Sequence, residues 1–479
     1  MGDFAGDRLS LQLTRRRPQW HGAGVTRHTL DAVLLAVHRY GYNVTAFQVL
    51  EPGFRYWFAP QGDGVVAYVD TGSAWVAAGA PLCPDEQLAA LALQFDAAAA
   101  ESGRRACFAV TEERFVRAAA AHGLHGLQIG EQPIWDPQRW PEIAHKNRSL
   151  REQLRRARAK GVVVRQLVPQ ELELPEAPLR AQIERLFAAW LGSRHMAPLG
   201  FLVQLHVFTH VAERRCFVAL QDERLVGFLG MIPVYGRDGW FIEDFLREPS
   251  APNGTSELMI DGAMQAAREE GAGFVTLGLS PLAGAVEPVL RWVGRLGSTL
   301  YDFEGLRAFK AKLKPERWDP VYLAYGPRSQ SWLALYDMLN AFARGNLLRF
   351  GLETVLRGPA VVLRLLAVLL VPWTMMLMAA DANWFPAAWI QWAWVAFDVL
   401  VTVALVRLSA RYSRRLGTVA ACAVSLDALL TWLEAALYNW PRATTLLDAF
   451  VILLAMLAPS LAALILWSAR RRHQIVLRA

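Results

Sequence analysis

The sequence predicts a tandem α+β region followed by an all-α domain of four transmembrane spans, and three observations carry that expectation. Helix, strand meander, helix and strand recur twice between residues 28 and 326, the pattern of two similar halves. Residues 361–479 hold only 10 of the 50 basic and 5 of the 43 acidic residues. Four apolar segments fill that stretch, each near the roughly 20 residues a helix needs to cross a bilayer. The 479-residue chain is 54% hydrophobic and 19% charged, which excludes a disordered or fibrous protein.

The expected order is an N-terminal tail (1–27), a first α+β domain (28–144), a second (145–328), an amphipathic linker helix (329–360) and the membrane domain (361–479). In the first domain, 28–39 reads as a helix with Leu30, Val33, Leu34 and Val37 on one face. Segments 54–59, 65–70 and 73–78 read as short strands between glycine-containing turns. An alanine-rich helix over 88–102 ends at Gly103 and leads to a buried strand, 106–110. In the second domain, 180–192 and 200–212 look helical, 216–220, 225–233 and 239–245 form a meander, and 256–270 is a helix before a strand at 274–279. Over 331–357, Trp332, Leu335, Tyr336, Leu339, Phe342 and Leu347 alternate with polar residues. That spacing predicts an amphipathic helix, docked on the soluble part or lying in the membrane interface.

The spans are placed at 361–380, 384–406, 416–438 and 444–468. Arg357 and Arg364 flank the first, the loop 381–383 has no cation, and Arg407, Arg411, Arg414 and Arg415 crowd the second connection. Arg470, Arg471 and Arg472 follow the last. The alternation predicts a multi-pass protein of a bacterial-type inner membrane, with the soluble part and both termini cytoplasmic. Arg15, Arg16 and Arg17 precede no apolar stretch, so no signal peptide is expected. Asp398, Asp427 and Glu434 fall inside spans, either as a polar site for a headgroup or ion or as packing hydrogen bonds between helices. The four cysteines show no C-x-x-C spacing, which supports neither a zinc site nor a disulfide framework.

Three soluble motifs carry chemistry. Arg148, Arg151, Arg155 and Arg158 share a face of a helix over 147–160, suited to RNA phosphates, to anionic lipid, or simply to solvent. Glu243 and Asp244 end an apolar strand with Arg247 three residues on, either a substrate-orienting acid with its guanidinium or a structural ion pair. A turn over 248–254 then leads into a helix that carries Glu257 in its first turn, with Asn253 or Thr255 as its cap. Finally, Lys310, Lys312 and Lys314 are three of only five lysines in the chain and follow Arg307 and Phe309. Positive charge beside aromatic rings suits a phosphodiester or a terminal nucleotide.

Six stretches, in order, make residues 28–326 resemble the catalytic domain of the aminoacyl-phosphatidylglycerol synthases, the multiple peptide resistance factor family. They are GRRACFAVTEERF (103–115), GEQPIWDPQRW (130–140), SLREQLRRARAKG (149–161), REPSAPNGTSEL (247–258), LGLSPL (277–282) and YDFEGLRAFKAKLKPERWDPVYLAY (301–325). The resemblance implies a tandem GNAT-like (acetyltransferase-like) fold. It further implies transfer of an aminoacyl group from charged tRNA to a hydroxyl of phosphatidylglycerol or a related anionic phospholipid, which alters membrane surface charge.

Residue by residue, the resemblance implies a reacting centre at Asp244 and Arg247, with Glu243 and Glu257 beside it. Lys310 and Lys312 match a phosphate-handling Phe-Lys-x-Lys, and Arg307 a Gly-Leu-Arg arginine. Arg151 and Arg155 join them as expected phosphate contacts. An aminoacyl ester is already activated, so no metal or redox cofactor is expected. Apolar segments follow the family-like region here rather than precede it, so lipid translocation is not carried over. Two alternatives stay open: a non-catalytic lipid- or tRNA-sensing module joined to a four-span transporter or docking unit, and an acyl-CoA-dependent acyltransferase.

Overall fold

The computed structural model describes residues 26–476 except 61, 174–176, 194–196, 198, 288, 289, 291–301, 358, 411 and 412. Most of the expected N-terminal tail, Tyr301 and Arg411 therefore lie outside the described residues. The chain divides into two units, Met1–Leu191 with Pro198–Phe350, and Gly192–Ala197 with Gly351–Ala479.

In the first unit, helix α1 (Arg27–Tyr40) starts at Thr26, whose Oγ1 accepts from Thr29 N, and buries Val33 and Val37. Strands β1 (Arg55–Phe58), β2 (Val65–Asp70) and β3 (Ala74–Ala78) run antiparallel. Helix α2 (Leu88–Glu101) returns the chain to β4 (Arg105–Glu112), parallel to β3. Packing of Phe95 between Trp57, Tyr68 and Phe108 holds α2 on this sheet. Helix α3 (Glu113–Ala120) leads to β5 (His125–Trp135), followed by α4 (Trp140–Lys146) and α5 (Arg148–Ala159).

The second half repeats the plan. After β6 (Val162–Gln166), α6 (Gln170–Glu173) and α7 (Pro178–Ser193), strands β7 (Arg215–Gln221), β8 (Arg224–Val234) and β9 (Gly239–Arg247) form an antiparallel meander. Helix α8 (Thr255–Glu269) then carries the chain to β10 (Phe274–Thr276), parallel to β9. A short strand β11 (Ser280–Pro281), helix α9 (Phe303–Lys312), strand β12 (Arg317–Tyr325) and helix α10 (Ser331–Phe342) complete the unit.

The boundary expected at 144/145 does not divide the sheet. Its order is β1-β2-β3-β4-β12-β5-β10-β9-β8-β7-β6. β12, from the second half, sits between β4 and β5, while β5, from the first, pairs with β10. Each half thus lends its last strand to the other, and neither sheet is complete alone.

Three further expectations change. Residues 200–212 form no α-helix: Phe201, Leu202 and His210 have positive φ, and the loop turns its polar groups inward. The amphipathic stretch 331–357 breaks into α10 and α11 (Leu347–Arg357) at Arg344 and Gly345, both with positive φ. α10 buries Ala334, Met338 and Ala341 against the first-half core. Its Asp337 receives Arg105 Nε at 2.7 Å and Nη2 at 2.6 Å. Lastly, α8 is capped by neither Asn253 nor Thr255, because its N-cap is Gly254 at φ 94°. A Cβ there would lie 2.1 Å from Gln153 O on α5, so only glycine lets the two helices approach.

The second unit holds α12 (Pro359–Ala379), α13 (Ala388–Ala410), α14 (Arg414–Glu434) and α15 (Leu446–Val476). Four segments, Val362–Ala379, Ala388–Ser409, Arg414–Arg442 and Leu446–Arg470, are long and apolar enough to cross a membrane. Leu363, Ala367, Leu405, Ala421, Val424 and Leu466 pack together inside this bundle.

Candidate active site

Neighbouring residues in a regular strand point to opposite faces, yet Glu243 and Asp244 both approach one guanidinium. The register explains how. Gly230 opposes Asp244 and Met231 opposes Ile242, which leaves Glu243 as an extra residue in β9. Such a bulge re-aims its side chain. The shared partner is Arg214, immediately before β7, with Nη1 2.8 Å from Glu243 Oε2 and 3.9 Å from Asp244 Oδ2. Nη2 bonds Glu51 Oε1, and Nε donates to Thr209 O at 2.9 Å.

The loop that fails to be a helix supplies the rest of the shell. Thr209 Oγ1 donates to the Glu51 carboxylate at 2.8 Å. Gln48 Nε2 donates to Glu243 Oε1 at 2.6 Å and to Leu202 O at 3.0 Å. His206 Nδ1 stands 3.9 Å from Glu51 Oε2. Glu51, Glu243, Gln48 and His206 line a small cleft, together with Phe54 and Phe201. Asp244 lies behind that wall, 3% exposed, and its Oδ2 has no hydrogen-bond partner among the described residues.

Burial governs the charges. It pushes the Glu51 carboxyl up to about 7, helped by the Glu243 charge and opposed by Arg214 and the Thr209 hydrogen bond. Burial also raises Asp244 well above the carboxylate range, with Glu243 and Glu51 adding repulsion. His206 falls to about 4 through burial and the nearby Arg214 charge, which leaves it neutral. Three carboxyls share one guanidinium, so the cleft wall attracts a cation and keeps a carboxyl titrating near neutral pH.

Residues 34–325 match the family model of the C-terminal region of phosphatidylglycerol lysyltransferase. The chain belongs to this family. Lysylphosphatidylglycerol biosynthesis bifunctional protein LysX of Mycolicibacterium vanbaalenii is 29% identical over 216 residues, covering 42% of this chain and 19% of that protein. The Nocardia farcinica protein of the same name is 28% identical over 243 residues, 48% of this chain and 21% of its own. This chain therefore spans about a fifth of the length of these curated relatives. The L-PGS structure from Bacillus licheniformis aligns at a TM-score of 0.56 with 20% identity, over 66% of this chain and 97% of that one. The likeness identifies the soluble fold as the GNAT-like fold of this lysyltransferase family.

Against that family background, the sequence-predicted residues separate. Asp244 and Glu243 come together, but with Arg214 rather than Arg247. The Arg247 guanidinium instead donates to Ala251 O at 3.1 Å, bracing the turn before α8. Glu257 is half-buried in the first turn of α8 and makes no ion pair among the described residues. Lys310 is buried, with Nζ 2.9 Å from both Gly278 O and Leu279 O, and burial lowers it to about 7. It holds the loop after β10, where Gly278 at φ 68° lies flat against the Phe241 ring.

Lys312 is exposed, and its own carbonyl accepts from Asn147 Nδ2 at 2.7 Å. That bond sets Lys312 beside the start of α5, where Arg151 is exposed. Arg155 is paired with Glu152 and Arg158 with Asp261, so the arginine stripe is partly neutralised. Arg307 Nε donates to Glu131 Oε1 at 2.7 Å and its guanidinium lies 4.8 Å from the Trp318 ring centre.

Sequence reasoning missed Glu51, Arg214, Gln48 and Thr209. Only Arg214 carried a signal: an arginine opening the otherwise apolar strand segment 216–220 needs a buried acidic partner.

In the membrane unit, Thr374 Oγ1 on α12 lies 3.3 Å from Asp398 Oδ2 on α13, and Trp394 Nε1 donates to Glu434 Oε2 across helices at 3.0 Å. Asp427 is met by Thr431 of its own helix at 3.4 Å. The first two contacts are the inter-helix hydrogen bonds that the packing alternative anticipates.

Proposed function

We propose that this protein transfers an aminoacyl group from a charged tRNA to a glycerol hydroxyl of phosphatidylglycerol at the cytoplasmic face of a bacterial inner membrane. The observation that carries the reading is the acidic cleft wall of Glu51 and Glu243 around Arg214, in a chain of the phosphatidylglycerol lysyltransferase family that has four membrane-length helices. The aminoacyl ammonium is the cation such a wall attracts. Glu243 and Gln48 orient it.

The transfer is a transesterification. The lipid hydroxyl oxygen bonds to the ester carbonyl carbon, the bond to the tRNA ribose oxygen breaks, and a proton passes from the incoming hydroxyl to the departing one. Glu51, at the cleft wall with its carboxyl near neutral, is positioned to relay that proton. Asp244, fully enclosed, serves as a positioning residue. Exposed Lys312 and Arg151 meet the phosphates of the tRNA end, while Lys310 shapes the loop beneath them. The cations of Arg407, Arg414 and Arg415, between the second and third spans, support a cytoplasmic soluble unit.

Lipid extraction and mass spectrometry of cells expressing the full chain, or its Glu51→Gln form, test the proposal. An aminoacylated lipid made only by the unaltered chain supports it and identifies amino acid and acceptor together. Folded, membrane-inserted protein that yields no new lipid in the presence of charged tRNA overturns it.

A further inference from the structure

α10 has two apolar faces. One is buried in the first-half core and fixed by the Arg105–Asp337 pair. The other presents Trp332, Tyr336 and Leu339, at i, i+4 and i+7, and these are 63%, 47% and 41% exposed. A second surface of this size and composition is out of place on a water-facing helix, since large side chains spaced by four and three residues form a continuous stripe.

Two observations identify what covers it. First, the stripe pairs two amphipathic aromatics with a leucine, the composition that settles at the boundary between headgroups and acyl chains. Second, the first membrane-length helix begins at Val362, soon after α10 ends at Phe342. Any bilayer holding that helix is therefore tethered close to this stripe along the chain. We infer that the outer face of α10 lies in the interfacial layer of the bilayer, so that the soluble unit is seated on lipid as well as anchored by its spans.

The seating has a consequence at the helix's C-terminal end. Arg344 and Gly345 line an open polar pocket whose wall also includes Arg55, Asp70 and Gly53. Gly53 lines the acidic cleft as well. With α10 at the interface, this pocket stands at headgroup level beside the cleft. The inference about headgroup access rests on the transfer reading, whereas the seating does not.

Spin-label accessibility in the full chain, reconstituted in phosphatidylglycerol-containing nanodiscs, tests the seating. Trp332→Cys, Tyr336→Cys and Leu339→Cys are labelled one at a time in a Cys422→Ser background, the other three cysteines being buried. Glu223→Cys, in the β7–β8 turn, reports a water-facing site. The expected result is oxygen accessibility well above that of a water-soluble nickel chelate at the three α10 positions, and the reverse at 223. Chelate access at the α10 positions equal to that at 223 overturns the inference. So does exclusion of both reagents, which signals a protein partner or a second copy on this face. Leu339→Cys alone decides the matter if the aromatic variants do not fold.

Discussion

Arg214 Nη1 lies 2.8 Å from Glu243 Oε2, and that ion pair is 1% exposed on the arginine side. The guanidinium is the sole basic group within ion-pair distance of both Glu243 and Asp244 among the described residues, and Glu51 adds a third carboxyl to it.

Removing the guanidinium strands three buried carboxyls. Arg214→Ala is expected to cost about 3–5 kcal/mol of stability, the usual penalty for breaking a buried ion pair from one side. Denaturation in detergent measures it, and acidification should partly restore the variant as the carboxyls protonate. Unfolding indistinguishable from the unaltered protein at pH 7 contradicts the network.

Glu51 makes stability depend on pH with a definite sign. Its folded value of about 7 lies above that of an unfolded glutamate, so its favourable contribution is complete at low pH and is lost as pH rises through 7. Between about pH 4.5 and 7 the slope from this group approaches roughly 1.4 kcal/mol per pH unit, and Asp244 adds in the same direction. Glu51→Gln should flatten the stability–pH curve over that range.

Glu243 raises Glu51 by like-charge repulsion. Glu243→Gln should therefore move the acid limb of the transferase pH profile to lower pH, beyond any fall in rate. An acid limb that stays in place would exclude Glu51 as the proton relay.

The two lysines of Phe-Lys-Ala-Lys should separate. Lys310→Met leaves Gly278 O and Leu279 O without their donor and is expected to cost about 1–3 kcal/mol of stability. Lys312→Ala should leave stability unchanged and, on the proposed transfer reading, reduce the salt dependence of tRNA binding by about one counterion. The opposite pairing of effects refutes the assignment.

Much of the architecture was legible because the β3–β4 and β9–β10 units are apolar, bounded by turn residues and joined by helices of the right length. The sequence pattern does not mark β5 and β12 as strands: one contains Gly126, Gly130 and Pro133, the other Asp319 and Pro320, and both owe their strand state to pairing with each other. Loop 200–212 has helix-like apolar spacing, but its hydrogen bonds go to Glu51 and Arg214. Asp244 could be found because it adjoins another carboxylate at a strand end. The pairing of Glu51 with Arg214 could not, since they lie 163 residues apart and only the fold makes them neighbours. Asp244 and Arg247 lie three apart in the regular part of β9 and so point to opposite faces, which leaves Arg247 to the turn before α8.

The exchange of β5 and β12 also orders events during synthesis. β4 leaves the ribosome long before its partner: roughly two hundred residues separate Glu112 from Arg317, about 10–40 s of translation. Through that interval the nascent chain carries an unzipped apolar edge, and the strand that closes it emerges shortly before the first membrane span. Closure of the sheet and delivery to the insertion machinery thus fall in one short window.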